Sequence, residues 1–305
     1  ILKNMKIVVT GGAGFIGLHL VNHLLKEENQ ITILDNFSNS DKNLTKILQH
    51  KNLKIIEGDI RKINDVNNCL KKQDIVIHLA AKISVNQSIL NPSETFEVNV
   101  DGTKNVLEAC KKNNIKKIII ASSAAVYGEG SSGMKLKENT KTDPISPYGK
   151  SKLIMEQEIE KNLLKYNKLD CIILRFFNIF GVGQTSEYAG VITKFVKRIS
   201  SDKPLEIFGD GMQTRDFVSI HDIVESVNAA IKNGKNGTYN IASGKAITIN
   251  KLAEFMISLS GKNLEIHHIS EKHGDIRHSE ADISLAREKI GYLPKLKLDE
   301  IKKFM

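Results

Sequence analysis

The sequence has few of the features that mark secreted, membrane-spanning or disulfide-linked proteins. Its three cysteines, Cys69, Cys110 and Cys171, lie far apart among apolar residues, which favours buried reduced thiols over disulfides or a metal site. No apolar run approaches the length of a membrane-spanning helix. The first residues show neither the apolar region nor the cleavage site of a signal peptide. These absences predict a cytoplasmic protein without a membrane partner.

The chain also lacks repeats, low-complexity segments and a nucleic-acid-binding module. Its formal net charge is +9 at pH 7, but the lysines are spread along the chain in pairs such as Lys71-Lys72 and Lys116-Lys117. Because no series of stacking aromatics accompanies this charge, we expect a diffuse basic surface and no nucleic-acid partner. An anionic small substrate suits the same surface.

Short apolar runs alternate with helix-length amphipathic segments in the first half of the chain. Continuous Ile and Val runs bounded by polar residues are typical of parallel strands that helices cover on both faces. The pattern predicts an α/β fold with a doubly wound parallel sheet within residues 1–178. The predicted strands cover residues 6–10, 31–35, 53–58, 74–80, 116–123 and 171–177.

Beyond residue 178 the rhythm loosens into glycine-containing loops. We expect residues 179–305 to form mainly a smaller mixed α/β substrate-binding subdomain, some segments of which return to the first domain. Helices are predicted near residues 190–200, 221–232 and 249–260.

A glycine-rich turn, TGGAGFIG, follows the first predicted strand. Gly11, Gly14 and Gly17 precede a helix, where glycines permit a tight turn and a close approach of backbone amides to a pyrophosphate. Three glycines alone can serve only for turning and packing. However, Asp35 ends the second strand 18 residues after Gly17, where a carboxylate accepts hydrogen bonds from a ribose. Since it also repels a 2′-phosphate, we expect NAD and not NADP.

The stretch SPYGKSK places Tyr148 and Lys152 four residues apart, on one face of a helix. A tyrosine is a poor base because its pKa is about 10, and a nearby ammonium lowers that pKa. The alternative is an exposed tyrosine on a charged helix, because YxxxK by itself is common. Ser123, at the carboxyl end of the fifth predicted strand, favours a catalytic site, since ligands of open α/β sheets bind there.

Nine motifs in register extend over nearly the whole chain: TGGAGFIG, LDNFS, GDIR, HLAA, SSAAVYG, SPYGKSK, RFFNIFG, TRDFVSIHDI and GDIRHSEADIS. Together they resemble the extended short-chain dehydrogenase/reductase family, specifically its UDP-hexose 4-epimerase branch. The resemblance implies a Rossmann-type fold, bound NAD, a UDP-sugar substrate and a homodimer formed by the two helical segments around residues 93–112 and 148–166.

The resemblance also assigns site residues. It implies that Ser123, Tyr148 and Lys152 are catalytic. Contacts to NAD are implied for Gly11, Gly14, Phe15, Ile16, Gly17, Asp35, Asn36, Asp59, Ile60, Leu79, Ala80, Ala81, Lys82, Asn99, Tyr148, Lys152 and Phe176. Contacts to the sugar nucleotide are implied for Ser84, Ser123, Asn178, Val191, Arg215, Lys272, Asp275 and Ser279.

Two of the implied substrate positions bear on affinity and specificity. Lys272 replaces an arginine usual in relatives, and a lysine neutralises a diphosphate without the bidentate fork. At Ser279 a tyrosine goes with enzymes confined to plain hexoses, so a serine leaves room for an N-acetyl group. The alternative for Ser279 is a polar residue that does not contact the substrate.

The choice of reaction rests on the two residues after Ser123. Relatives that dehydrate or decarboxylate the sugar carry an acidic residue there, whereas Ala124 and Ala125 do not exchange protons. This favours 4-epimerisation of a UDP-hexose, plain or N-acetylated, through a transient 4-keto sugar. The alternatives are a UDP-glucuronate 4-epimerase or another sugar-nucleotide oxidoreductase of this family, and a non-catalytic NAD-sensing protein, against which the intact Ser-Tyr-Lys set argues.

Histidines are the remaining candidates. His78 closes a strand and is interpreted as a packed or hydrogen-bonded residue. The cluster His267, His268, His273 and His278 fits no standard metal-ligand spacing. We therefore expect no metal.

Overall fold

A seven-stranded parallel sheet lies at the centre of the computed structural model, which describes residues 4–40, 50–165, 168–184, 190–271, 276–295 and 298–304. The strands are β1 (Lys6–Thr10), β2 (Gln30–Asp35), β3 (Leu53–Glu57), β4 (Ile75–His78), β5 (Lys117–Ser123), β6 (Asp170–Phe176), β7 (Asn178–Phe180), β8 (Leu205–Phe208), β9 (Thr214–Ser219), β10 (Gly237–Ile241), β11 (Ala246–Thr248), β12 (Ile266–Ile269) and β13 (His278–Ser279).

Helices flank the sheet and connect its strands. The α-helices are α1 (Phe15–Lys26), α2 (Ile63–Cys69), α3 (Val85–Leu90), α4 (Pro92–Phe96), α5 (Gly102–Lys112), α6 (Pro147–Lys165), α7 (Val191–Ser200), α8 (Ile220–Asn233), α9 (Ile249–Ser260) and α10 (Ser284–Ile290). A π-helical turn, Glu97–Asp101, joins α4 to α5, and 3-10 segments cover Ala124–Val126 and Leu298–Phe304.

The strand order in the large sheet is β10-β6-β5-β4-β1-β2-β3, and neighbouring strands are parallel throughout. The chain runs outward from β1 to β3 and then returns to add β4 on the other side of β1. Ligands of such sheets bind at the carboxyl ends beside this reversal. The predicted fold class and all six predicted strands are confirmed. The seventh strand, β10, was not predicted because its sequence, GTYNI, has only two apolar residues.

Isoleucine and valine fill both faces of this sheet. Ile7 belongs to a core cluster that includes Leu20 of α1 and Ile223 of α8. Its neighbour Val8 belongs to a second cluster that includes Val106 of α5. Successive residues of a strand thus enter different cores, which explains why the strand sequences are apolar throughout instead of alternating.

The residues after β6 add a smaller part of mixed structure. Strand β9 is antiparallel to β11 and parallel to β13 and β7, while β8 and β12 form a separate parallel pair. A third core cluster, with Phe195 of α7 and Leu252 of α9, lies beneath them. The helices predicted near 190–200, 221–232 and 249–260 are α7, α8 and α9. Of these elements, α8 packs on the large sheet and β10 extends it.

The cysteines are buried and unpaired, as the sequence predicted. Burial raises the pKa of the Cys69 thiol to about 12, so this thiol is unreactive at neutral pH. In the described ranges no helix combines the length and the apolar character that crossing a bilayer requires.

Candidate active site

The turn between β1 and α1 is built for close approach. Gly11 has φ +69°, and a Cβ there would lie 2.6 Å from the backbone nitrogen of Ala80; a Cβ on Gly17 would lie 2.5 Å from the oxygen of Gly11. Gly14 is the N-cap residue of α1 and, being a glycine, has no side chain that could hydrogen-bond to the first amides of the helix. The first amides of the helix therefore border a cradle that suits a pyrophosphate, as the fit of NAD requires.

Asp35 ends β2 beside this turn. Its Oδ2 accepts a hydrogen bond from the amide of Ala13 at 3.0 Å, and its Oδ1 accepts one from the amide of Phe37 at 2.8 Å. The carboxylate therefore holds the glycine-rich turn in place, a role that the sequence analysis did not assign. It remains partly exposed at the carboxyl edge of the sheet, where a ribose would meet it.

Asp59 follows β3 at the same edge. The Arg61 guanidinium, whose Nη2 lies 2.6 Å from Oδ2, is the main reason that the pKa of Asp59 is lowered to about 2. Asn36 Nδ2 donates to the same oxygen at 3.2 Å. The next predicted contact, Ile60, is 4% exposed and belongs to the core.

Asn99 lies in the π-helical turn and is 1% exposed. Its Nδ2 donates to the oxygen of Lys82 and to Ser151 Oγ, both at 2.9 Å, and its Oδ1 accepts from the amide of Lys82 at 2.8 Å. π-Helical turns are frequent at functional sites. Here the turn ties the segment after β4 to α6, the helix that carries Tyr148.

The three predicted catalytic residues converge on one cavity. Ser123 is the last residue of β5, and Tyr148 and Lys152 lie on one face of α6. Lys152 is 4% exposed, and its Nζ donates to the oxygen of Ala121 on β5 at 3.0 Å. This hydrogen bond fixes the ammonium against the strand that carries Ser123.

Burial controls the pKa values of this set. It raises the pKa of Tyr148, against the opposing effect of a hydrogen bond with Ser123. It lowers the pKa of Lys152 to about 8, against the opposing charge of Glu156. A lowered pKa was expected for Tyr148 with the charges of both Lys152 and NAD beside it; in the protein without NAD, desolvation of the phenolate raises this pKa instead.

The cavity has a volume of about 710 Å³ and spans both parts of the protein. This volume is typical of a site for a small molecule or cofactor. The large sheet and its loops contribute the three predicted catalytic residues, and the smaller part contributes the opposite wall. Predicted site residues that line it are Ile16, Leu79, Ala81, Ser123, Tyr148, Lys152, Phe176, Asn178, Val191 and Arg215.

Other predicted residues lie differently. The Ser84 hydroxyl caps α3, accepting from the amide of Gln87 at 3.1 Å. Ser279 is 6% exposed on β13, paired in register with Arg215, and does not line the cavity. Lys272 and Asp275 lie outside the described residues.

Several lining residues were not predicted. Phe208 ends β8 and is 40% exposed at the cavity, and Lys194 and Lys197 of α7 face the same space. The sequence did contain a signal for Phe208 at the cavity, because it is a large aromatic residue directly before Gly209. The lysines carried no signal, because the predicted helix did not fix which of its faces meets the cavity.

His78 is a structural residue, as predicted. Its ring nitrogens lie 2.7 Å from Thr10 Oγ1 and 2.9 Å from Thr103 Oγ1. Burial lowers the pKa of His78 to about 3, with the charge of Lys152 acting in the same direction. The imidazole is therefore neutral at physiological pH. The described residues contain no cluster of side chains able to hold a metal ion.

The fold and the site together define a dinucleotide-binding protein in which a serine, a tyrosine and a lysine face one large cavity. The chain belongs to the NAD dependent epimerase/dehydratase family, whose model matches residues 7–242. It is thus an enzyme of the UDP-sugar epimerase family, and NAD is its cofactor.

Similar proteins cover almost the whole chain. A putative UDP-glucose 4-epimerase of Methanocaldococcus jannaschii is 38% identical over 96% of this chain and 95% of that protein. A UDP-glucuronate 4-epimerase of Thermodesulfobacterium geofontis is 32% identical over 96% of this chain and 92% of that protein. The solved structure of a UDP-N-acetylglucosamine 4-epimerase from Methanobrevibacter ruminantium M1, in complex with UDP-N-acetylmuramic acid, has a TM-score of 0.92 at 39% identity and covers 99% of this chain and 96% of that one.

Proposed function

We propose that this protein inverts the configuration at C4 of a UDP-sugar through a transient 4-keto intermediate. The observation that carries the proposal is the convergence of Ser123, Tyr148 and Lys152 on one cavity, with Ala124 and Ala125 directly after the serine. Among the described residues that line the cavity, the acidic side chain is Glu206, which pairs with Arg198 at 2.8 Å on the smaller part. Among these described lining residues, therefore, no carboxyl group lies beside Ser123, where dehydration or decarboxylation of the sugar would require one.

Tyr148 is the proposed acceptor of the 4-hydroxyl proton, directly or through Ser123. The glycine-rich turn and Asp35 would hold NAD, which would supply reversible hydride transfer at C4 and a positive charge that would favour the phenolate. Lys152 adds a second positive charge, held against β5 by its hydrogen bond to Ala121. Together these charges offset the desolvation that raises the pKa of Tyr148.

The cavity wall formed by the smaller part of the protein is proposed to bind the UDP group. Asn178, Val191 and Arg215 line it, and Val191 begins α7. A helix N-terminus and an arginine are both suited to phosphate oxygens. Lys272 and Asp275, outside the described residues, are proposed as further contacts on the strength of the motif that contains them.

Both plain and N-acetylated UDP-hexoses are proposed substrates. The putative UDP-glucose 4-epimerase and the UDP-N-acetylglucosamine 4-epimerase are similarly close to this chain. Ser279 does not itself line the cavity, but it is small and is paired in register with Arg215, which does; the proposal places the N-acetyl group beside this pair. The identity of Ser279 as the residue that limits substrate size is part of the proposal.

A panel of UDP-sugars tests this function. UDP-glucose, UDP-N-acetylglucosamine and UDP-glucuronate are incubated separately with the purified protein, and NMR reports the configuration at C4. We expect inversion of the first two without added NAD. A protein that inverts none of the three, or that releases a dehydrated or decarboxylated product, would overturn the proposal.

UDP-glucuronate 4-epimerisation is the second candidate. It is supported by the UDP-glucuronate 4-epimerase among the relatives and by Lys194 and Lys197, two exposed cations at the cavity that suit an additional carboxylate. Inversion of UDP-glucuronate in preference to the other two sugars would favour it. A non-catalytic NAD-sensing protein would invert none of them, nor would its bound NAD show reduced-nicotinamide absorbance on addition of a sugar.

A homodimer and a cytoplasmic location are also proposed. The dimer rests on the resemblance of the α5 and α6 segments to the paired helices of the family. Light scattering on the purified protein tests it: a mass near twice the 34.0 kDa of the chain supports the dimer, and a mass near that of one chain contradicts it.

A further inference from the structure

A buried carboxylate lies one helical turn after Lys152. Glu156 is on the same face of α6, four residues further along, and is 3% exposed. Lys152 is 4% exposed. Side chains at this spacing are neighbours on a helix, so a negative charge adjoins the catalytic ammonium within the protein interior.

The position of Glu156 is fixed from two strands. Ser122 Oγ on β5 donates to its Oε1 at 2.5 Å. Arg175 on β6 donates through Nε to Oε1 at 3.0 Å and through Nη2 to Oε2 at 2.6 Å. Arg175 is itself held by Tyr127 Oη, 2.8 Å from its Nη1. These hydrogen bonds hold the carboxylate in the protein interior.

We propose that Glu156 is a positioning residue for the reaction proposed above: it is the buried counter-charge that keeps Lys152 an ammonium beside Tyr148. The inference rests on that proposed function, in which Lys152 acts through its charge. Ser122 and Arg175 hold the carboxylate where this charge is effective.

The charges around Lys152 agree with this role. Burial lowers the pKa of Lys152 to about 8, and Glu156 opposes the shift. His78, facing from β4, has its pKa lowered to about 3 and is neutral in the working range. Tyr148, on the same helix, is protonated in the resting protein because burial raises its pKa. Arg175, facing from β6, is bonded to the carboxylate. Among the described residues, Glu156 is thus the negative charge that opposes the lowering of the Lys152 pKa.

The alternative is that Glu156 serves only to neutralise Arg175. Two variants distinguish the roles. Glu156→Gln removes the carboxylate but leaves Arg175 buried without its partner, which endangers folding. The double variant Glu156→Gln/Arg175→Met removes both charges of the pair, so it folds without an unpaired arginine and still deprives Lys152 of its counter-charge. Glu160→Gln, at an exposed position one turn further along α6, is the matched control.

The direct readout is the titration of Lys152 in full-length protein containing isotope-labelled lysine, followed by NMR. The ε-carbon signal is assigned by its absence from Lys152→Met, which separates it from Lys117, whose pKa burial also lowers. We expect the midpoint to fall by about one pH unit in the double variant, since loss of a close opposite charge favours the neutral lysine. Glu160→Gln should titrate like the native protein. An unchanged midpoint in the double variant would overturn the proposal.

The second readout is the pH profile of kcat with a UDP-sugar that the native protein converts. Its alkaline limb reports loss of the ammonium, so it should move to lower pH by the same amount as the Lys152 midpoint. A loss of kcat with no movement of the limb contradicts the positioning role. The NMR titration needs no substrate, so it tests Glu156 even if the proposed reaction fails.

Discussion

Burial determines what single side chains of this site are able to do. Lys152 and Tyr148 are both desolvated, which lowers the pKa of the first to about 8 and raises that of the second. Each shift favours the neutral form. At the residue scale, the proposed proton transfer to Tyr148 therefore requires nearby positive charge that restores the phenolate, and Lys152 is proposed to supply part of this charge.

Replacement of Tyr148 by phenylalanine tests its role as proton acceptor. The variant keeps the ring and its packing, so it should bind NAD like the native protein, while kcat falls by roughly a hundredfold or more because the acid-base group is gone. Tyr239→Phe, a buried tyrosine whose Oη lies 3.4 Å from the oxygen of Lys235, is the matched control and should remain active. Near-native turnover by Tyr148→Phe would exclude this tyrosine as the proton acceptor.

Ser279→Tyr tests the proposed limit on substrate size. If the buried Ser279 borders the space for the N-acetyl group, the new ring should lower kcat/KM for N-acetylated UDP-hexoses by about ten- to a hundredfold, since overpacking costs about 1 to 3 kcal/mol. Plain UDP-hexoses should be largely unaffected. Ser279→Ala, which adds no volume, should leave the ratio of the two kcat/KM values unchanged. Equal losses for both sugar pairs in Ser279→Tyr would show that this position does not set specificity.

His78 should make stability depend on pH. Its pKa is about 3 in the folded protein and about 6.5 in an unfolded chain. Between these values the unfolded chain binds a proton that the folded protein does not. The stabilising contribution of neutral His78 is therefore complete above pH 6.5 and decreases as pH falls toward 3.

The measurement is the free energy of unfolding of native and His78→Gln protein at pH 7 and pH 5. Native protein should lose roughly 2 kcal/mol more than the variant over this interval, because His78 contributes up to about 1.4 kcal/mol per pH unit below its unfolded pKa. His267→Gln, at an exposed position, is the control and should follow native protein. Parallel pH curves for native and His78→Gln protein would contradict the assignment.

At the scale of elements, the packing of α1 against the turn after β1 forms the proposed cofactor cradle. A glycine is required at position 17 for steric reasons and not for its backbone conformation. A Cβ there would collide with the Gly11 oxygen and, at 2.6 Å, with the backbone of Gly12. The GxxGxxG spacing therefore encodes a helix-to-turn contact as well as a path for a pyrophosphate.

Gly17→Ala should weaken NAD binding by at least about tenfold and lower the midpoint of thermal unfolding, because α1 must move away from the turn. Gly190→Ala, at the N-cap of α7 where a Cβ meets no atom within 4 Å, is the matched control and should leave NAD affinity unchanged. The measurements are calorimetric NAD affinity and the unfolding midpoint. Native-like NAD affinity in Gly17→Ala would show that this contact does not shape the cradle.

Elements with strong apolar character were predictable from sequence, and those formed by pairing were not. Strand β5 was predictable from the consecutive residues Ile118, Ile119 and Ile120, each of which is at most 1% exposed. Strands β7 and β11 have three residues each, and both are paired with β9. Their register is a tertiary property, so periodicity within one segment contains no information about it.

The same distinction applies to the site at the scale of the whole molecule. Tyr148, Lys152 and Ser123 were predictable because strand ends and helical spacing place them. The network of Glu156, Ser122 and Arg175 was not, since it joins three elements distant in the chain. The raised pKa of Tyr148 in the protein without NAD was not predicted, because burial of its side chain arises only when the large sheet and α6 pack together.

The most direct test of the central claim follows the hydrogen at C4 through one reaction. UDP-glucose and UDP-N-acetylglucosamine with deuterium at C4 are incubated with native protein in ordinary water, and NMR locates the label in the products. Epimerisation with internal hydride return predicts inverted sugars that retain deuterium at C4. Absence of inversion, exchange of the C4 label for solvent hydrogen, or its appearance at C6 would contradict the account.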